Sequence, residues 1–202
     1  MEILVLFDSK GGNTYALAKA VAEGIDLVEG VKARVRRTKE TTPMEIIRAN
    51  EEWSRFYDEV RVNIPEVTLD DVTETDGLAM GSPTRFGNMT PSMANFLECL
   101  GALWYQGALV GKIGGVFTST TTMHGGNEAT LLTMLVPLMH LGYIIVPLGY
   151  TDPNVISTHA GGTPYGPSSV SGLGAPSPND AEIEMARSFG KRLAEVTKKL
   201  RG

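Results

Sequence analysis

Gly81-Ser82-Pro83-Thr84-Arg85-Phe86-Gly87-Asn88-Met89 is the stretch whose reading decides the fold. The apolar run Gly77–Met80 before it reads as a short buried strand, and a helical pattern begins near Met89. A strand that ends in Gly-Ser-Pro-Thr and hands over to a helix puts backbone N–H groups and small hydroxyls at the carboxyl edge of a sheet. That is the edge at which open α/β folds bind ligands. Arg85 and Phe86 add a cation and an aromatic face to the same turn, a pairing that suits a flat, polar-rimmed ligand. Taken alone, the stretch fits either a ring-binding loop or a tight strand-to-helix connection whose Gly and Pro serve only the turn.

Two more stretches repeat the arrangement. Ile3–Phe7 is a continuous apolar run, the pattern of a strand covered on both faces, and Ser9-Lys10-Gly11-Gly12-Asn13-Thr14 follows it. Leu17, Ala20, Val21, Gly24 and Val28 then recur at helical spacing. A strand, a loop of small and hydroxyl residues and a helix start make a cradle for an anion, because free N–H groups and the positive end of the helix dipole point at it. The glycine spacing is that of neither a dinucleotide fingerprint nor a nucleoside-triphosphate loop, so a phosphate monoester on a flat molecule is the expectation. An ordinary helix cap by Ser9, Asn13 or Thr14 is the competing reading. The third stretch follows the strand predicted over Lys112–Thr120 and runs through Thr121, Thr122, Met123 and His124 to Gly125-Gly126.

The rest of the chain supplies the frame. Val31–Arg37 alternates apolar and basic residues as a half-covered strand does. Residues 38–67 are highly charged, yet Ile46, Asn50, Trp53, Tyr57 and Val60 recur at helical intervals, which predicts one amphipathic helix laid on the surface or on a neighbouring subunit, its aromatics serving packing. Met93, Phe96, Leu97, Leu100 and Trp104 predict a helix, Leu131–Met139 another, Tyr143–Leu148 a last strand, and Ile183–Leu200 a closing helix. Residues 151–179 are rich in Pro, Gly and Ser without periodicity and read as a long loop. Strands alternating with helices predict one α/β domain over residues 1–202, a doubly wound five-stranded parallel sheet with helices on both faces. In the order 2-1-3-4-5, strands one, three and four are neighbours at the switch point, so the three loops converge on one crevice.

Composition narrows the function. A chain of 202 residues, 42% hydrophobic and with net charge −5, can bury a full core and lacks the clustered basic surface of a nucleic-acid binder. The basic runs Lys32–Lys39 and Lys198–Arg201 fit a strand and a helix C-terminus. One cysteine, Cys99, excludes an intrachain disulfide, a zinc cluster and a Cys-ligated iron–sulfur centre, and its apolar surroundings predict burial. His124 and His159 have no partners at metal-ligand spacing. The N-terminus lacks signal-peptide features and no run approaches a membrane span, so a cytoplasmic protein is expected.

Five motifs in order carry a resemblance over nearly the whole chain: Ser82–Met89, Gly101–Trp104, Val116–Thr120, His124–Glu128 and Gly161–Gly166. Together they resemble the WrbA family of FMN-dependent NAD(P)H:quinone oxidoreductases. The resemblance implies a flavodoxin-like fold, one FMN per subunit, NADH or NADPH as electron donor, a quinone as acceptor and a homotetramer. It implies that Ser9, Lys10, Gly11, Gly12, Asn13 and Thr14 hold the FMN phosphate. Thr84, Arg85 and Phe86, with Gly87 and Asn88 completing the turn, would meet the isoalloxazine ring. Ser119, Thr120, Thr121 and Thr122, with Gly125 beside them, would line the ribityl chain and ring edge. His140 would reach the flavin region from a neighbouring part of the tetramer, and Trp104 would wall the quinone pocket. Two positions depart from the family: Thr121 stands where relatives carry Gly, and Gly11 where some carry an aromatic residue that meets the nicotinamide. Residues 38–67 match no motif.

The implied chemistry belongs to the flavin: two-electron, ping-pong reduction of a quinone at the expense of NAD(P)H, with the chain supplying binding, orientation and charge. No catalytic side chain and no metal are required. The alternatives are a flavodoxin-like electron carrier, against which the modest acidity and long loop argue, and a redox-inactive FMN-binding regulator, against which the intact ring-facing set argues.

Overall fold

The computed structural model describes residues 1–172 and 178–201. In chain order its elements are β1 (Glu2–Phe7), α1 (Asn13–Asp26), β2 (Lys32–Arg37), α2 (Met44–Arg48), α3 (Glu51–Glu59), a 3-10 turn (Arg61–Asn63), α4 (Leu69–Glu74) and β3 (Gly77–Pro83). There follow α5 (Pro91–Glu98), α6 (Gly101–Tyr105), β4 (Ile113–Thr120), α7 (Asn127–His140), β5 (Ile144–Ile145), α8 (Asn154–Ser157), β6 (Ser168–Val170) and α9 (Asp180–Arg201). The sheet is parallel in the order β2-β1-β3-β4-β5, with β6 also beside β4.

Alternation along β1 shows why the sheet is covered on both faces. Ile3, Val5 and Phe7 point into a core built with Leu17, Val21 and Ile25 of α1 and Met185, Phe189 and Leu193 of α9. Leu4 and Leu6 point the other way, into a core shared with Met93 and Phe96 of α5 and Leu131, Leu135 and Leu138 of α7. Period-two residues that are apolar at both phases leave no face for water, which is the signature of a buried parallel strand. On the first face the helices meet almost backbone to backbone. A Cβ on Gly24 would lie 2.0 Å from Arg187 O, and one on Gly190 2.0 Å from Val21 O.

The expected order 2-1-3-4-5 is present, but the sheet has a sixth strand. The run Tyr143–Leu148 pairs with β4 only over Ile144–Ile145. After Val146 donates to Gly114 O at 2.8 Å, Pro147 has no N–H to continue the ladder. β6 then occupies the remaining edge of β4, with Thr118 opposite Ser168 and Thr120 opposite Val170. Its Ser-Ser-Val sequence carries no alternating apolar signal. Residues 151–179 are therefore not one loop, since α8 and β6 lie within them; 173–177 fall outside the described residues.

The single helix expected over residues 38–67 is α2, α3 and a 3-10 turn. Asn50 breaks it by capping α3, its Oδ1 accepting the Trp53 N–H at 3.0 Å. The helix α4, absent from the sequence reading, starts at a capping box between Thr68 and Asp71. The helix expected from Met93 to Trp104 is two, α5 and α6, parted at Cys99–Leu100. Cys99 is exposed, not buried. Met93, Phe96 and Leu100 take the core-facing phase and leave position 99 outside. Among the described residues no helix is long and apolar enough to cross a membrane.

Candidate functional site

The loop after β1 is built to leave hydrogen-bond donors free. The cap residue of α1 is Gly12, at φ 101° and without a side-chain cap bond. Ser9 Oγ accepts the Gly12 N–H at 3.1 Å, pinning the turn. The N–H groups of Asn13, Thr14 and Tyr15 find no acceptor among the described residues. The ordinary cap that competed for Ser9, Asn13 or Thr14 is thus not made at the helix start, and the positive end of a 14-residue helix faces outward.

Neighbouring strands bring the other loops alongside. Thr14 and Ser119 share a buried hydroxyl–hydroxyl hydrogen bond of 2.7 Å, joining the first turn of α1 to the end of β4. Thr84 N–H donates to Ser119 O at 2.9 Å, joining β3 to β4. The Ser171 and Gly172 N–H groups donate to Thr120 O and Thr121 O, both at 2.9 Å, so the chain leaving β6 closes that side. The result is one cleft of about 890 Å3 at the carboxyl edge of the sheet. Ser9, Lys10, Gly11, Asn13, Thr14, Thr84, Arg85, Ser119, Thr120 and Thr121 all line it.

Arg85–Asn88 forms a tight two-residue hairpin, with Arg85 N–H donating to Asn88 O at 2.7 Å and Asn88 N–H to Arg85 O at 3.0 Å. Its central residues Phe86 and Gly87 have φ of 54° and 79°, the primed turn that normally wants glycine at both places. Phe86 is held left-handed with its ring fully in solvent. Among the described residues it is the only non-glycine with positive φ. Thr121 therefore sits in ordinary backbone, and its place in the loop needs no glycine.

The opposite wall comes from the charged stretch. Asn50, Glu52 and Trp53, at the start of α3, line the cleft. Trp53 is thus more than packing, and the Arg85 guanidinium lies 5.8 Å from its ring centroid. α3 is held there by Phe56, whose ring packs tilted at 5.8 Å from that of Tyr15 of α1 and lies 3.3 Å from the place of a Gly12 Cβ.

Beneath the loop lies a buried charge cluster. Lys10 Nζ is 2.5 Å from Glu40 and 3.4 Å from Asp8. Arg61 donates to Asp8 at 3.0 Å, to Ser9 O at 3.3 Å and to Thr38 O at 2.9 Å, and its Nε is 3.3 Å from Glu40. Burial pushes the Glu40 carboxyl up, but Lys10, the Thr42 N–H and Arg61 outweigh it and hold it below the usual range. Two cations and two carboxylates cancel, so the Lys10 ammonium is committed inward and only the rest of the residue meets the cleft.

The family model for NADPH-dependent FMN reductase matches residues 1–152. The chain belongs to that family. Relatives named NAD(P)H dehydrogenase (quinone) include one from Syntrophobacter fumaroxidans, 42% identical and covering 99% of this chain and 98% of its own. Another, from Geobacter metallireducens, is 41% identical over the full length of both. The structure of a flavodoxin, WrbA-like protein from Agrobacterium tumefaciens superposes with TM-score 0.70 at 20% identity, covering 99% of each chain. A flavodoxin from the domain Archaea superposes with TM-score 0.62 at 22% identity, covering 98% of this chain and 99% of that one. These two likenesses establish the fold.

FMN fits the residues present: free N–H groups and hydroxyls for a phosphate, and in the same cleft a cation and an indole for a ring system. Other residues expected at the site stand apart from the cleft. Gly12 shapes the cradle from beneath. Phe86, Gly87 and Asn88 form the projecting hairpin. Thr122 and Gly125 close a turn on each other, Gly125 N–H donating to Thr122 O at 2.9 Å. His140 ends α7, at the other end of the helix from the cleft, and is exposed. Its ring stacks on Trp104 at 5.8 Å, and that indole is half exposed too.

Proposed function

We propose that this chain is an FMN-dependent NAD(P)H:quinone oxidoreductase. The observation that carries the reading is the cleft itself, which gathers unpaired N–H groups of α1, hydroxyls from three strand ends and the Arg85–Trp53 pair into one lining. Bound FMN supplies the redox chemistry, accepting two electrons from NADH or NADPH and passing them to a quinone. Ser9, Asn13 and Thr14 hold the phosphate together with the first-turn N–H groups. Ser119, Thr120 and Thr121 flank the sugar chain. Thr84 and Arg85 meet the ring, where the guanidinium stabilises negative charge. The side chains thus bind and orient, and none acts as a nucleophile.

The test is retention and turnover. Protein incubated with FMN and desalted is titrated anaerobically with NADH and then with benzoquinone. Retained flavin that bleaches with NADH and recovers on quinone is the expected result. Retained flavin that ignores NADH would move the reading to an electron carrier or a regulator.

We further infer a homotetramer working in the cytoplasm, each chain folded as one domain. What supports the tetramer is an apolar stripe on the outside of α7, Leu132, Val136 and Met139, continuous in phase with His140 and its stacked Trp104. On this reading Trp104 and His140 serve the cleft of a neighbouring subunit. Light scattering that returns a monomer mass at working concentration would remove it.

A further inference from the structure

The first turn of α3 brings a carboxylate to the phosphate cradle. A Cβ on Gly11 would lie 2.8 Å from Glu52 Oε1 and 3.5 Å from Oε2, so both oxygens rest against the loop. Glu52 lines the same cleft as Ser9, Asn13 and Thr14. Its place is set by the Asn50 cap before it and the Phe56 anchor one turn later. Among the described residues it has neither an ion-pair partner nor a hydrogen-bond partner for its side chain.

The cations that could offset this charge are engaged elsewhere. Lys10 is turned onto Glu40 and Asp8. Arg61 lies beneath the loop on Asp8 and Glu40. Arg85 sits at the ring end, over Trp53 and donating to Thr84 O at 2.8 Å. The phosphate end of the cleft is therefore governed by helix N–H groups and one uncompensated carboxylate. A phosphate seated on those N–H groups has a like charge for a neighbour, with peptide dipoles and the neutral side chains of Ser9, Asn13 and Thr14 to hold it.

We propose that Glu52 sets how strongly this site discriminates phosphorylated from unphosphorylated flavin, loosening its hold on the phosphate and leaving ring binding untouched. The proposal rests on the FMN reading above and makes the cofactor exchangeable. Glu52 is a specificity residue that acts through its approach to the phosphate loop at Gly11.

The experiment compares two ligands on two proteins. FMN and riboflavin are titrated into flavin-stripped wild type and Glu52→Gln, following quenching of flavin fluorescence. The expected result is FMN bound roughly three- to tenfold more tightly by Glu52→Gln, with riboflavin affinity unchanged. The FMN difference between the two proteins narrows as salt is raised, because screening weakens the repulsion. Glu52→Asp keeps the charge and should stay close to wild type. Should Glu52→Gln fail to fold by circular dichroism, Glu52→Ala makes the same comparison. Equal FMN affinities in wild type and variant, or an equal gain for riboflavin, would overturn the proposal while leaving FMN as the cofactor. FMN binding by neither protein would overturn both.

Discussion

Arg61 donates through Nη1 to Asp8 Oδ1 at 3.0 Å, with both side chains sealed from solvent. Asp8 directly follows β1 and Arg61 begins the 3-10 turn after α3, so this pair fastens the α2–α3 excursion to the base of the phosphate loop. Arg61 also reaches Ser9 O, the first carbonyl of that loop. The pair therefore couples the shape of the cradle to the position of the wall above it.

Arg61→Met should cost about 3–5 kcal/mol, because it leaves the buried Asp8 and Glu40 carboxylates with Lys10 as the one cation of the cluster. Urea unfolding measures it, and Asp8→Asn added to Arg61→Met should recover part of the loss. A single variant as stable as wild type would show the pair to be replaceable.

Glu40 gives the cluster a pH signature. Its carboxyl titrates below the usual range in the folded protein, so its pairing stabilises fully above the ordinary glutamate value and is lost as pH falls through the lower, folded one. Glu40→Gln should be less stable than wild type at neutral pH, and the two should converge in acid. Urea midpoints measured from pH 7 down to pH 3 on both proteins read this directly; a gap that widens in acid would contradict the assignment.

The contact of α1 with α9 has no room for a methyl group. Gly190→Ala places a carbon 2.0 Å from Val21 O, and backbone cannot rotate away as a side chain can. A loss of about 1–3 kcal/mol or more is expected, seen as a lower thermal midpoint. Gly30→Ala is a poor control because Gly30 has positive φ, whereas Gly101→Ala meets open space and should be nearly silent.

Phe86 separates stability from function. A left-handed phenylalanine costs about 1–2 kcal/mol, and its ring is wholly exposed, so Phe86→Gly should unfold at or slightly above the wild-type midpoint despite losing an aromatic. Weaker FMN or quinone binding in that variant would then be a direct effect of the ring. A clear loss of stability would mean that the ring packs on something in solution.

The legible parts of this molecule were the ones with local signatures. Ser9–Thr14, Thr84–Arg85 and Ser119–Thr121 follow apolar runs and precede helical patterns, and neighbouring parallel strands had to bring them to one edge. Trp53 and Glu52 were unreadable as site residues because their place depends on α3 folding back over Gly11 and Gly12, a contact between segments about forty residues apart with no spacing rule. Arg61 looked like one more charge in a polar stretch, since nothing local marks a cation that will be buried. β6 lacked apolar alternation, and Cys99 was misjudged because an apolar neighbourhood in sequence includes the outward phase of a helix. Asn50 fits the helical repeat by spacing, yet as a cap residue between Ile46 and Trp53 it divides that pattern in two.

The divided edge of the sheet has an engineering consequence. β5 and β6 are both fastened to β4, so residues 146–167 form a detour whose two ends are anchored to the same strand. Ser171 and Gly172 are placed in the cleft by their bonds to Thr120 and Thr121, not by the path the chain takes to reach β6. Val146, Leu148 and Val155 of that detour are buried in the core, so, because closing a longer loop costs little extra entropy, its exposed stretch at residues 157–159 is the graft position. A reporter or affinity segment spliced into it would ride on the outside of the protein while the flavin seat kept its register.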